Sequence, residues 1–275
     1  MKIVVIGGTG MIGRKLVCAL RSLGIEAVAA ARATGVDILT SEGLADALRG
    51  ADVVVDVSSS GYFDADEMER FFERACPRLL AAGRDAGIAH HITLSAIGAG
   101  RVGGGYFRAK AIQEELVAAS GLPFTIVRST PFFEFIYKIV DAGGEGGDIR
   151  LPPVLMQPIA AHDVARALSR IALQAPANAV IEIAGPNAYR LPALAEEILT
   201  ANEDGRRPIA DCDAPYFGTR IGDASLTPSR NPRFASTSFE DWIRQSLVPA
   251  WAQTYRPPHD PIVSGIHHPE ASSAQ

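Results

Sequence analysis

The feature that most constrains the fold lies at the start of the chain, where Lys2-Ile3-Val4-Val5-Ile6 runs directly into Gly7-Gly8-Thr9-Gly10-Met11-Ile12-Gly13. A short β-branched run ended by glycine reads as a buried strand. Met11 to Leu23 follows with helical spacing and stops at Gly24, a residue suited to a C-cap. Strand, glycine turn and helix thus succeed one another with no linker. That order opens a βαβ unit, in which the helix covers the sheet before a second strand pairs beside the first.

The alternation continues. Ala27 to Ala31 reads as a second strand. Ser41 to Leu48 reads as a helix with Ser41 as N-cap and Gly50 as its stop. Val53 to Val57 is a strand, and Asp64 to Ala86 a long amphipathic helix with a break expected near Pro77. Ile92 to Leu94 is a strand, Tyr106 to Ser120 a helix, and Phe124 to Val127 a further strand. Together they predict an α/β protein with a doubly wound parallel sheet of the Rossmann type. Right-handed crossovers place the carboxyl ends of the strands on one edge, where ligands bind. Beyond Arg128 the pattern loosens. Gly143 to Gly147 is a loop, Asp163 to Leu173 a helix with Asp163 as N-cap, Val180 to Ile183 a strand and Leu191 to Ala201 a helix. Residues 205–235 show little periodicity, and Phe239 to Leu247 is a last helix. The division expected is a core over residues 1–155 and a small C-terminal substrate lobe over 156–256, with elements returning to the core. A flexible tail over 257–275 completes it.

Composition excludes several classes. A net charge of −5 over 275 residues gives no cationic face for nucleic acid. Cys18, Cys76 and Cys212 are far apart and odd in number, so neither a disulfide framework nor a zinc site is expected. The apolar run at the N-terminus is too short for a signal peptide, and no segment is long enough to span a membrane. A reducing cytoplasm fits best. The histidines His90-His91, His162 and His267-His268 lack ligand spacing with a carboxylate, so no metal is expected.

Gly7, Gly10 and Gly13 have the spacing G-x-x-G-x-x-G. The first glycine allows a tight turn, the second a close approach to a pyrophosphate, and the third close packing of helix on strand. The helix N-terminus offers free N–H groups and a partial positive charge to phosphates. The strand–turn–helix setting makes this a dinucleotide site built from Gly7, Thr9, Gly10, Met11, Ile12 and Gly13. NAD usually needs an acidic residue at the end of the second strand. Here Ala29-Ala30-Ala31-Arg32 offers a guanidinium, suited to a 2′-phosphate, and Arg14 can assist. NADP is therefore favoured. NAD stays possible if Arg32 is merely a solvated loop residue.

Tyr106 and Lys110 form Y-x-x-x-K, which places both on one face of a helix. A neighbouring ammonium favours the phenolate, so the phenol becomes a usable acid or base. Ser95, expected just past the Ile92–Leu94 strand, can hydrogen-bond a substrate oxygen. Ser95, Tyr106 and Lys110 are the candidate catalytic residues. The blander alternative is that Tyr106 packs and Lys110 only holds the cofactor ribose.

These motifs resemble an atypical short-chain dehydrogenase/reductase of the NmrA-like group. The carriers are Gly7 to Gly13, Ser95-Ala96-Ile97-Gly98, Tyr106 to Lys110 and Phe124 to Arg128, with Ile159 to Ala165 and Ile183 to Pro186 as weaker echoes. The similarity covers roughly residues 1–200. It implies a Rossmann core with a lobe closing over the substrate. It also implies Ser58 near the adenosine, and Thr130, Pro131 and Phe132 near the nicotinamide. One departure is clear: Asp56-Val57-Ser58-Ser59-Ser60 stands where typical members have N-N-A-G. The group also contains proteins that bind dinucleotide as sensors. The expectation is an NADPH-dependent oxidoreductase passing hydride to a small carbonyl or quinone-like substrate. A redox sensor and an isomerase or epimerase are the alternatives. Phe132 is the one residue of the 132–135 aromatic cluster expected in the pocket wall. Trp242 and Trp251 are expected to pack the lobe.

Overall fold

A computed structural model describes residues 1–59, 61, 64–144, 146–229 and 231–247. Trp251, His267, His268 and the tail from Pro257 lie outside the described residues. In chain order the first elements are β1 (Lys2–Ile6), α1 (Met11–Ser22), β2 (Glu26–Ala30), α2 (Leu44–Leu48), β3 (Val53–Asp56), α3 (Ala65–Asp85), β4 (His90–Ala96), α4 (Gly105–Ala118) and β5 (Phe124–Ser129). Then come α5 (Ile136–Ala142), β6 (Asp148–Leu151), β7 (Leu155–Met156), α6 (Ala161–Ala172), β8 (Ala179–Ala184), β9 (Tyr189–Arg190), α7 (Leu191–Ala201), β10 (Arg207–Ala210), β11 (Arg233–Phe234) and α8 (Phe239–Leu247).

The fold is α/β, centred on a seven-stranded sheet in the order β11-β8-β5-β4-β3-β1-β2. Every pair in it is parallel. The chain winds outward from β1 to β2, then turns back through β3, β4 and β5. The switch point therefore falls between β1 and β3, where doubly wound sheets open a crevice for ligands. The pleat explains the layering. Ile3 and Val5 face α1 and α6, burying Leu16, Leu20, Val164 and Leu168. Val4 and Ile6 face the other way, onto Leu44, Leu48, Leu79 and Val117 of α2, α3 and α4. Each such buried leucine contributes about 1.5–3 kcal/mol.

A third core belongs to the later part of the chain. Phe133, Ile136, Ile149, Met156, Leu194, Ile198 and Trp242 pack together. Here β6 pairs with β10 and β7 with β9, while β8 and β11 return to the large sheet.

Several boundaries differ from the sequence expectations, each for a local reason. The second helix starts at Leu44, capped by Gly43 at φ 65°; Ser41 sits in a left-handed turn at φ 69° and is not the N-cap. α3 runs through Pro77 unbroken, because Ala75, Cys76, Leu79 and Leu80 on either side are buried and hold both halves. α6 begins at Ala161 rather than at an Asp163 cap. Its first amide is satisfied by Glu134, whose carboxylate oxygens accept from Ala161 N at 3.0 and 3.2 Å. Asp163, buried, instead accepts from Thr237 N at 3.1 Å and ties α6 to the approach to α8. β4 extends to Ala96, so Ser95 lies within the strand rather than past it.

Candidate active site

A cavity of about 870 Å³ runs along the carboxyl edge of the sheet. One end is made by the glycine loop. Gly7 turns at φ 75°, and its amide donates to Ala30 O at 2.9 Å. The loop glycines are not equivalent. A Cβ on Gly13 would lie 2.2 Å from Gly7 O, and one on Gly8 2.6 Å from Ala29 Cα. Those two glycines therefore let the helix and the second strand close on the loop. A Cβ on Gly10 would meet only Gly7 O, at 3.2 Å, and would otherwise point into open space. Gly10 is where a ligand can reach the backbone. The amides of Met11, Ile12 and Gly13, in the first turn of α1, have no intrahelical carbonyl to bond. They are the donors a pyrophosphate would take.

Arg32 opens a short 3₁₀ turn after β2 and lines the same end of the cavity. Arg14 does not; it sits exposed on α1, away from the lining. Asp37, not anticipated from the sequence, also lines this wall, with its carboxylate accepting from Leu39 N at 2.7 Å. The wall thus offers a cation for a 2′-phosphate and an acid for a hydroxyl or an amino group. Among the described residues, two buried hydroxyls facing the cavity have no hydrogen-bond partner: Ser58 Oγ beyond β3 and Thr130 Oγ1 beyond β5. An unpaired buried hydroxyl is costly, so both are shaped for a bound partner. The glycine cradle and these two orphaned groups fit a dinucleotide.

Tyr106 and Lys110 both line the middle of the cavity, as one helix face requires. Tyr106 packs with Phe71 and Phe72 of α3. Lys110 is only 2% exposed. Its Nζ donates to Gln113 Oε1 at 2.6 Å and sits 4.6 Å above the Phe72 ring. Gln113 in turn donates through Nε2 to Asp56 Oδ2 at 2.8 Å, and Asp56 Oδ1 accepts from Ser58 N at 2.9 Å. A buried chain thus runs from the cavity lysine to the end of β3. Burial pulls the Lys110 pKa down to about 8, against the opposing pull of Asp56 and Glu114. Cys76 shares this interior, and burial, with Asp56 adding, pushes its thiol up to about 12.

Ser95 lines the cavity but differs from expectation in its bonding. Its hydroxyl donates to Glu114 Oε1 at 2.5 Å, and Arg128 holds the same carboxylate through Nη2 at 2.6 Å and Nε at 2.9 Å. The Ser95 proton is therefore committed, and toward the cavity it presents lone pairs. Phe132 lines the cavity, and so does Phe135, against the expectation that Phe132 alone of that cluster would; Phe107, Tyr216 and Phe217, which the sequence did not single out, line it too. His90 and His91 are buried structural groups, bonded to Thr125 Oγ1 at 2.8 Å and Thr93 Oγ1 at 3.0 Å. Among the described residues no three His, Cys, Asp or Glu side chains are grouped to hold a metal, and no helix is long and apolar enough to cross a membrane.

Comparison with known proteins decides the family. A model described as NAD(P)H-binding matches residues 7–175. This chain belongs to the NAD(P)H-binding family. A curated relative, the chloroplastic divinyl chlorophyllide a 8-vinyl-reductase of Cucumis sativus, is 30% identical over 235 residues. That match covers 72% of this chain, which spans only 56% of that relative's length. Solved structures agree on the fold. A dTDP-glucose 4,6-dehydratase from Streptomyces venezuelae, with NAD bound, superposes with a TM-score of 0.66 at 17% identity, covering 89% of this chain and 95% of its own. A short-chain dehydrogenase/reductase superfamily protein from Agrobacterium tumefaciens, also with NAD bound, gives 0.66 at 16%, covering 90% and 96%. NAD(P)H-binding is thereby shown for the family, and the solved neighbours share the fold.

Proposed function

We propose that this chain is an NADPH-dependent oxidoreductase that reduces a small carbonyl or quinone-like compound. The observation that carries the reading is the single cavity. It joins the glycine cradle and Arg32 at one end to Tyr106 and Lys110 in the middle and an aromatic lobe wall at the other. When bound, the reduced nicotinamide supplies the hydride. Gly7, Thr9, Gly10, Met11, Ile12 and Gly13 hold the pyrophosphate. Arg32 pairs with the 2′-phosphate, Ser58 meets the adenosine end, and Thr130 and Phe132 flank the nicotinamide. Tyr106 donates a proton to the substrate oxygen. Lys110, protonated at neutral pH, holds the ribose hydroxyls and favours the phenolate left behind. Ser95 accepts a hydrogen bond rather than giving one, which orients a hydroxyl beside it. The curated relative is itself named a reductase, which agrees with hydride chemistry in this fold. On this reading the later part of the chain is the substrate side, since it contributes Tyr216 and Phe217 to the cavity lining.

One observation favours a second reading. With the Ser95 proton held by Glu114, the serine does not donate to a substrate oxygen, as expected of a sensor that binds cofactor without turnover. Tyr106→Phe separates the two. In a reductase this variant binds NADPH normally and loses roughly 100-fold or more in turnover, assayed as NADPH oxidation over a panel of quinones and ketones. If no compound is reduced by the parent protein, and the variant binds as the parent does, the sensor reading replaces the enzyme.

A further inference from the structure

The lobe end of the cavity has a construction of its own. Tyr216-Phe217-Gly218-Thr219 is a tight turn, closed by Tyr216 N to Thr219 O at 2.8 Å and Thr219 N to Tyr216 O at 3.1 Å. Both central residues are left-handed, Phe217 at φ 47° and Gly218 at φ 75°. Turns of this kind favour Asn-Gly, because a bulky residue with positive φ is sterically strained. The strain falls on the one residue of the pair whose side chain lines the cavity. Strained backbone tends to be kept where a site needs it.

The turn is pinned close to the proposed proton donor. Thr219 fills the space beside Gly105, where a Cβ would lie 2.7 Å from Thr219 Oγ1, and Gly105 immediately precedes Tyr106. From there a continuous series of ring contacts borders the lobe end. Phe135 tilts against Phe217 at 5.3 Å between centroids, and Phe217 meets Tyr216 edge-on at 5.0 Å. Tyr216 stacks on Phe107 at 6.1 Å, and Phe107 meets Tyr106 at 6.0 Å. All five rings line the cavity. The one carboxylate among the described lining residues, Asp37, lies at the far end after β2. A flat π-system would find ring faces and edges on several sides.

We infer that the substrate is a planar conjugated ring compound and that Phe217 is the residue that selects it. This rests on the oxidoreductase reading for turnover but not for binding. The reaction balances as one hydride from NADPH, carrying two electrons, and one proton from Tyr106, which solvent replaces; NADP⁺ and the reduced ring compound leave.

The test compares 2,3-dimethyl-1,4-naphthoquinone with butane-2,3-dione, using the full chain and two variants. Phe217→Asn suits the left-handed turn and removes the ring; Phe217→Trp keeps an aromatic. The parent should favour the naphthoquinone in kcat/KM. Phe217→Asn should lose about tenfold with the naphthoquinone, mainly in KM, the fold-change expected for one aromatic contact. It should change little with the dione, and NADPH affinity should stay as in the parent. Phe217→Trp should retain the preference. In parallel, calorimetry measures naphthoquinone binding to the NADP⁺ complex. Ring binding that weakens about tenfold in Phe217→Asn, with no turnover by any variant, would uphold the proposal and defeat the reductase reading. Three outcomes overturn the proposal: a parent that prefers the dione, no naphthoquinone binding, or a Phe217→Asn loss equal for both compounds.

Discussion

Replacing Gln113 with leucine should shift the pH at which the protein releases its cofactor. Lys110 Nζ donates 2.6 Å to Gln113 Oε1 in an interior where burial has brought its pKa down to about 8. A hydrogen bond to a charged group contributes roughly 1.5–3 kcal/mol. Since 1.36 kcal/mol corresponds to one unit, its loss should lower the Lys110 pKa by about one to two units. The sign follows from the charge. Lys110 is a cation, so a lower pKa makes it neutral at a lower pH, and the ammonium proposed to hold the ribose disappears sooner as pH rises. NADP⁺ affinity, measured by calorimetry from pH 6.5 to 9.5 at fixed ionic strength, should fall in the parent as pH passes about 8. In Gln113→Leu the fall should already be under way near neutrality. Asp56→Asn should move the limb in the same direction, because the Asp56 charge supports the ammonium. Lys110→Met should bind weakly with no such limb. A Gln113→Leu profile that overlies the parent's would refute the reasoning, since leucine keeps the volume but accepts no hydrogen bond.

Other expectations follow from the same geometry. Gly10→Val should fold and fail to bind dinucleotide, because its side chain would occupy the space where the ligand meets the backbone; unchanged affinity by calorimetry would count against the site. Gly13→Val, by contrast, should destabilise the fold itself, given a Cβ only 2.2 Å from Gly7 O, visible as a lowered melting temperature. Arg32→Ala should weaken NADPH more than NADH by roughly 1.5–3 kcal/mol, and equal losses would remove Arg32 from phosphate recognition. His91, pushed down to about 4 by burial, takes up its proton more readily in the unfolded chain. Its contribution to stability is complete above about pH 6.5 and should drain away, by roughly 3 kcal/mol, as pH falls toward 4. Urea melts across that window should show a shallower decline in His91→Gln.

What the sequence revealed was local. β1, the glycine turn and α1 form a contiguous segment whose pattern has one structural solution, and Leu191–Ala201 and Phe239–Leu247 were readable from apolar spacing to the residue. Caps were less legible, because they can come from afar. Asp163 had the right chemistry in the right place for an N-cap. The group that meets Ala161 N is Glu134, on a segment far upstream, and nothing near Ala161 announces it. The aromatic wall was hidden for a similar reason. Phe217 lies in the aperiodic 205–235 stretch, and only the tertiary fold brings it against Phe135.

The buried polar chain is a different case, because part of its signal was present and went unread. α4 buries Lys110, Gln113, Glu114 and Val117. With Tyr106 they form the i, i+4, i+7, i+8, i+11 stripe that marks the inner face of a helix. A search for hydrophobic periodicity passes over it, because three of its five members are charged or amide. Polar residues at core spacing are costly unless paired, so such a stripe implies partners across the interface. The candidates were Asp56, ending an otherwise apolar strand, and Arg128, near the end of another. The structure pairs them that way: Gln113 with Asp56, Glu114 with Arg128. Asp56 stands where the resemblance leads one to expect N-N-A-G. That departure marks the point where this chain anchors Lys110 to a carboxylate through Gln113, and it is why Gln113, rather than Lys110 alone, is expected to set the alkaline limit of binding.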